Sequence, residues 1–554
     1  MDYLLPPGSL FLGFDCSTQS LKATILDHGL NTVKSLAIHF DSDLPHYGTI
    51  AGTYRDSDNI ARIVSPTLMW VEALDLILER LKNSNVEFSK ITAISGSGQQ
   101  HGSVYWNYNA SDILGSLDGK ERLVDQMGDA FSVKESPIWM DYSTTRQCKE
   151  IEDSVGGPFA LASITGSRAY ERFTGPQIRK IYNDLPGFYE ITSRISLVSS
   201  FMASILIGKF ASIDHTDGAG MNLLDIKQKN WSEIALKATA PDLRKKLGNV
   251  AAAHEIAGLI SPYFVTRYGF SESCVVVNWS GDNPNSLAGL GLSETGDLGI
   301  SLGTSDTVFA ISKDPTTHLD GHVFPNPVDP KSYMVMLCYR NGSLTREEFR
   351  NRYAGNSWEK FNELLQQSPP LNDGKMGLYY TEQEILPPLQ GYHRFIIKDM
   401  EEGKREKAKE FDAASEVRAL VEGQFVSKRG HVERFGLPSP PKRLMVTGGA
   451  SANPAILEVL AAVFGCDVQT VERPDSASLG AAVRAAHGWL CHQRGKLVAM
   501  QGLYERMPPC KVSATAGDPE LVAAYAHFMK HFLDAEMDLA DSITGLMGSS
   551  EGQI

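Results

Sequence analysis

Two stretches of the chain share one hydrophobic pattern. Ser9 to Phe14 is an apolar run, Asp15-Cys16-Ser17-Thr18-Gln19-Ser20 is a turn of small polar residues, and Leu21 to Leu26 is a second apolar run. Asp297 to Ser312 repeats this: an apolar run, a turn at Gly303-Thr304-Ser305-Asp306-Thr307, and a second apolar run. Short β-branched runs bounded by such turns predict strand, turn, strand. An internal repeat of this kind predicts two domains of like design. The boundary is expected near Ser280, giving residues 1–280 and 281–554.

Helical spacing of Leu, Val, Ile and Met predicts a helix over Ser65 to Leu81. A strand over Ile91 to Ile94 runs into Ser95-Gly96-Ser97-Gly98-Gln99-Gln100-His101-Gly102. Asp141 is read as the N-cap of a helix opening at Ser143-Thr144-Thr145. Further helices are expected at Pro176 to Asn183, Asn341 to Phe361 and Glu416 to Phe425. The charge run Lys398 to Phe411 is read as a solvated connector or helix face. A strand over Leu444 to Val446 enters Thr447-Gly448-Gly449-Ala450-Ser451-Ala452-Asn453-Pro454, and a helix follows from Ala455 to Phe464.

Composition narrows the function. The chain has 554 residues, 42% of them hydrophobic, and a net charge of -14. That length favours two large domains. The acidic balance argues against a nucleic-acid-binding face, yet backbone N–H groups can hold a phosphate in an acidic protein. Seven scattered cysteines without C-x-x-C spacing argue against zinc and against a disulfide framework. The longest apolar run, Phe201 to Ile207, is too short to span a bilayer. A cytoplasmic protein is expected.

The turns are the candidate chemistry. Small hydroxyl residues there can aim N–H and O–H groups at an anion, although an ordinary hairpin loop has the same look. A Gly pair between a strand and a helix lets backbone approach a nucleotide, and the helix dipole favours anions. Asp282 ends an apolar run beside Gly281. His101 can serve sugar hydroxyls or be a satisfied core histidine, and Arg168 or Arg172 can reach a substrate or lie on the surface. No G-x-x-x-x-G-K-[ST] occurs, and His101 stands where G-x-G-x-x-G needs its third glycine.

Taken in order, Asp15–Ser20, Gln99-Gln100-His101-Gly102, Gly281-Asp282-Asn283, Gly303-Thr304 and Gly448-Gly449-Ala450-Ser451-Ala452-Asn453 resemble the FGGY carbohydrate kinases. The runs around His101 and Arg172 resemble the branch of that family that acts on D-xylulose. The resemblance implies an α/β fold of two actin/hexokinase-like (ribonuclease H-like) domains with a ligand cleft between them. It implies phosphorylation of a sugar by ATP with Mg²⁺, by a monomer or homodimer. Asp282 would be the general base, and Asp15 would place the metal and phosphates. His101, Arg172, Asp282 and Asn283 would hold the sugar. Ser17, Thr18, Gln19, Gly303 and Thr304 would face phosphates. Gly448, Gly449, Ala450 and Asn453 would line the adenosine site, with Trp358 near the adenine. A kinase for glycerol, ribulose or gluconate is the alternative, and an actin-like ATP-binding sensor another.

Overall fold

A computed structural model describes residues 4–399, 401, 403–471 and 475–550. The chain forms two units, neither of them a single stretch. The first comprises Met1–Ser293, Lys313–Met334 and Asp475–Pro508, and the second comprises Glu294–Ser312, Val335–Pro474 and Pro509–Ile554. The expected cut at residues 280/281 therefore falls inside the first unit. A single boundary could not be right, because two later segments return to that unit.

Both expected hairpins form. Leu10–Cys16 pairs antiparallel with Ser20–Asp27, and Asp297–Leu302 pairs antiparallel with Asp306–Ser312. The first unit's sheet has the strand order Ile256–Leu259, Val275–Val277, Ile91–Gly98, Leu10–Cys16, Ser20–Asp27, Thr32–His39. The other sheet repeats this order with Lys511–Ala514, Val468–Thr470, Arg443–Thr447, Asp297–Leu302, Asp306–Ser312 and Tyr333–Tyr339, and adds His322–Pro325 as a seventh strand at its edge. In each sheet the hairpin's first strand runs parallel to its next neighbour, and the far edge strand runs antiparallel. The repeat is thus of whole sheets, and it carries the actin/hexokinase-like design.

Helices cover the sheets where the pattern is amphipathic. Thr67–Asn83 buries Met69, Trp70, Leu74, Ile77, Leu78 and Leu81. The late helix Ser476–Arg494 packs on the first unit's sheet so closely that a Cβ on Gly13 would lie 2.2 Å from the Ala482 nitrogen. It crosses the helix Asp282–Gly289 at equal closeness, since a Cβ on Gly480 would lie 1.8 Å from the Asn285 oxygen. Glycine is required at both crossings because backbone touches backbone.

Three local expectations differ from the structure. Asn341 to Phe361 holds two helices, Ser343–Tyr353 and Trp358–Gln367, because Gly355 and Asn356 between them have φ of 57° and 66°. The charge run contributes the end of the strand Gly391–Asp399 and the strand Lys404–Lys407, which pair; residues 400 and 402 lie outside the described ones. Charged side chains suit an edge strand, because they discourage further strand pairing. Asp141 does not cap the helix Thr145–Val155, whose N-cap is Thr144. Its buried carboxylate instead accepts from Ile63 N, Ser143 N and Oγ, and Gln177 Nε2.

Candidate active site

In the first unit the candidate residues gather at one end of the sheet. Leu10–Cys16 and Ile91–Gly98 are parallel, with Cys16 opposite Gly98, and Ser280–Gly281 continues alongside with Gly281 also opposite Gly98. Asp15, the Gln99–His101 turn and Asp282 therefore leave neighbouring strands at their carboxyl ends. Open α/β sheets bind ligands at such ends.

Asp15 stands opposite Lys22 in the hairpin. Its Oδ1 accepts from Ser97 Oγ at 2.7 Å, and Lys22 Nζ lies 3.6 Å from its Oδ2. The same ammonium lies 3.5 Å from Asp475. Burial holds the Asp15 carboxyl well above the usual carboxylate range; Lys22 opposes that shift, and Asp475 and Asp282 add to it. Ser17 Oγ donates to Ser20 O within the turn, Thr18 Oγ1 accepts from Trp139 Nε1 at 2.9 Å, and Gln19 is exposed.

Asp282 is the first residue of the helix Asp282–Gly289. Its Oδ1 accepts from Asn283 N at 2.9 Å and Asn283 Nδ2 at 3.2 Å. Burial pushes its pKa up to about 6, against hydrogen bonds from the Asn283 and Gln100 backbone. Asn283 Nδ2 also donates to Gln100 Oε1 at 2.9 Å. Below this pair lies Asp217, whose Oδ2 accepts from Ser199 Oγ and whose pKa is raised by burial and by Asp214. Asp214 caps the helix His215–Ala219 and lies 3.5 Å from the buried Arg484.

His101 is buried with φ of 69°, an uncommon conformation for a non-glycine residue. Its ring stacks on Phe173 at 4.2 Å, and its Nδ1 is 2.7 Å from Gly220 O. A carbonyl only accepts, so Nδ1 carries the proton and Nε2 is left as an acceptor. Burial lowers the His101 pKa to about 3, keeping the ring neutral. Arg172 packs over the Tyr170 ring at 4.7 Å, and its Nη2 lies 2.8 Å from His322 Nε2.

In the second unit, Ser301 stands opposite Thr447 on parallel strands, so the Gly303-Thr304 turn and the Gly448–Asn453 turn leave adjacent strand ends. Gly448 has φ of 90°, and a Cβ there would lie 2.5 Å from Leu302 O. Gly449 faces open space, and Thr304 is exposed. Ala450 lies in the short 3₁₀ turn Gly449–Ala452. Asn453 caps the helix Pro454–Phe464 through its Oδ1, and its Nδ2 donates to Asn362 at 2.9 Å. Asn362 lies on the helix that opens with Trp358, so that helix is tied to the glycine turn. The Trp358 ring is half-buried, edge-on to Phe361, with the Arg350 guanidinium 4.9 Å from its centroid.

Sequence reasoning missed Lys22, Ser97, His322 and Asp475. Lys22 was within reach, since it lies across a short hairpin from Asp15. The others meet the site only through the fold.

Comparison with known proteins agrees with this architecture. The N-terminal domain model of the FGGY family of carbohydrate kinases matches residues 129–289, and its C-terminal domain model matches residues 298–489. Xylulose kinase 2 of Arabidopsis thaliana is 61% identical over 98% of this chain and 99% of its own length. Xylulose kinase of Rattus norvegicus is 46% identical over 96% and 98%. The solved gluconate kinase of Lactobacillus acidophilus superposes with a TM-score of 0.78 at 16% identity, covering 97% of this chain and 99% of that one, a likeness of fold alone. The chain belongs to the FGGY family of carbohydrate kinases.

Proposed function

We propose that this chain phosphorylates D-xylulose with ATP, giving D-xylulose 5-phosphate and ADP. The observation that carries the reading is Asp282, a half-buried carboxylate with a pKa near 6 at a helix start, bonded to Asn283. The choice of D-xylulose rests on the two relatives named xylulose kinase, since the same fold also serves a protein named gluconate kinase.

A sugar hydroxyl is a poor nucleophile until its proton has somewhere to go. Asp282 accepts that proton as the hydroxyl oxygen bonds to the γ-phosphorus and the bond to the ADP oxygen breaks. A base with pKa near 6 is roughly nine-tenths ionised at pH 7, yet still takes up a proton readily. Neutral His101 accepts a sugar hydroxyl through Nε2, and Arg172 and Asn283 donate to sugar oxygens. The Gly303-Thr304 and Gly448-Gly449 turns offer backbone to phosphate and nucleoside, and Trp358 offers a ring face.

Among the described residues no cluster of three or more His, Cys, Asp and Glu could form a metal cage. Mg²⁺ needs no such cage, as it is commonly held by one or two carboxylates together with phosphates and water. Asp15, buried among acidic neighbours with Lys22 as counter-charge, fits that role, with Asp475 beside it. Bound there, Mg²⁺ would neutralise charge on the phosphate oxygens.

ADP release across a panel of D-xylulose, D-ribulose, glycerol and gluconate tests the reading. D-xylulose should give the highest kcat/KM, with 5-phosphate as the product. A higher value for another sugar would replace the substrate, and no sugar-stimulated ADP release would remove the kinase reading.

A further inference from the structure

His322 lies in the segment Lys313–Met334, which belongs to the first unit although the chain on either side belongs to the second. The segment is tied down along its length. Val323 N donates to Gly166 O, Tyr170 OH donates to Leu319 O, and Thr216 Oγ1 donates to Pro325 O. Each partner lies in one of two segments, Gly166–Gly175 and Asp214–Gly220, that also hold Arg172 and Gly220, the acceptor for His101.

His322 is 2% exposed, and both ring nitrogens are engaged. Arg172 Nη2 lies 2.8 Å from Nε2, and Ser167 Oγ lies 2.9 Å from Nδ1. A guanidinium can only donate, so Nε2 is the acceptor and the ring is neutral with its proton on Nδ1. That proton goes to Ser167 Oγ, which fixes the tautomer. The ring also packs against Tyr170 at 5.0 Å and Phe173 at 5.2 Å. Burial and the nearby Arg172 hold the imidazole pKa well below its usual value, in keeping with this neutral state. Arg172 reaches over the Tyr170 ring to meet it.

We propose that His322 is a positioning residue for the sugar site: as a neutral acceptor locked by Ser167, it aims the Arg172 guanidinium at the substrate. The proposal rests on the reading of Arg172 as a sugar ligand. A long arginine left to choose its own rotamer loses entropy when it binds, and a fixed acceptor at Nη2 removes much of that loss beforehand.

Steady-state kinetics of full-length variants test this, with D-xylulose and ATP varied separately. His322→Leu removes the acceptor and should raise KM for D-xylulose about tenfold or more, the scale of one hydrogen bond to a charged group. KM for ATP and kcat should stay within about twofold. His322→Gln, whose Oε1 can accept from Arg172, should recover most of the loss. In an Arg172→Met background, His322→Leu should add nothing further. An unchanged sugar KM in His322→Leu, an equal rise in the Arg172→Met background, or no recovery with glutamine would overturn the proposal. Arg172→Met with an unchanged sugar KM would instead remove Arg172 from the sugar, and the role of His322 with it. Should His322→Leu fail to fold, Ser167→Ala carries the same test. It should raise sugar KM several-fold, but not in the Arg172→Met background, and an unchanged value would count against the proposal.

Discussion

In the proposed reaction Asp282 carries two opposed demands. As a base it must be ionised at working pH, yet it must hold a proton well enough to draw one from a hydroxyl. Burial supplies the second property by pushing its pKa up to about 6, and the Asn283 and Gln100 amides keep the shift from going further. The sign follows directly. Above pH 6 the carboxylate is free to accept, and below it the group is already protonated. We expect kcat/KM for D-xylulose to fall on the acid side with an apparent pKa near 6. Asp282→Asn should lower kcat by about 10²–10⁴-fold, the usual worth of a general base, with KM for D-xylulose within a few-fold because asparagine keeps the shape. Near-normal turnover in that variant would take the base role away from Asp282. Its neighbour Asp217 has a different part: it is 2% exposed, its pKa is raised by burial and by Asp214, and it interacts with the buried Arg484.

At the scale of elements, the turns were legible because their information is local. An apolar run, a Gly/Ser/Thr turn and a second run make a hairpin wherever they occur, and the Gly448-Gly449 pair had to follow a strand because of the helix signal at Asn453-Pro454. What failed depended on context. Lys398 to Phe411 has a helix-surface composition, but Lys398, Asp399 and Lys404–Lys407 lie in paired strands. Asn341 to Phe361 kept a helical period across Gly355 and Asn356, where the backbone breaks it. Asp475 and His322 could not be assigned because they reach Lys22 and Arg172 across hundreds of residues or through an intervening segment. Trp358 belongs to this scale, since its helix is joined to the glycine turn by the Asn453–Asn362 bond. Trp358→Ala should raise KM for ATP several-fold, in line with the ~1–3 kcal/mol that stacking an aromatic on a base is worth, with little change in KM for D-xylulose. An unchanged KM for ATP would leave Trp358 as packing for Phe361 and Arg350.

For the whole molecule, the order of the chain and the order of the units disagree, and that has a measurable consequence. The first unit's sheet is covered by Ser476–Arg494, a helix encoded near the far end of the sequence. Leu479 and Val483 of that helix are 2% and 0% exposed, and burying two such side chains is worth about 3–6 kcal/mol. Set against a typical domain stability of about 5–15 kcal/mol, the loss is large. The same helix carries Arg484, whose guanidinium donates to Asn285, Ala253 O and Asn278 O and lies beside Asp214. A fragment of residues 1–280 would keep Gly13 and Phe11 but lose the helix that lies on them, and would keep Asp214 but lose its cation. Such a fragment should aggregate or bind a hydrophobic dye, and should lack a cooperative melt. Residues 1–293 joined by a flexible linker to residues 475–508 restore both the helix and Arg484, and should melt cooperatively. If 1–280 alone melts as a cooperative unit, the late helix is an accessory and the first unit folds without it. If neither piece does, the segment Lys313–Met334, with its anchors at Gly166 and Thr216, is also needed to close the fold.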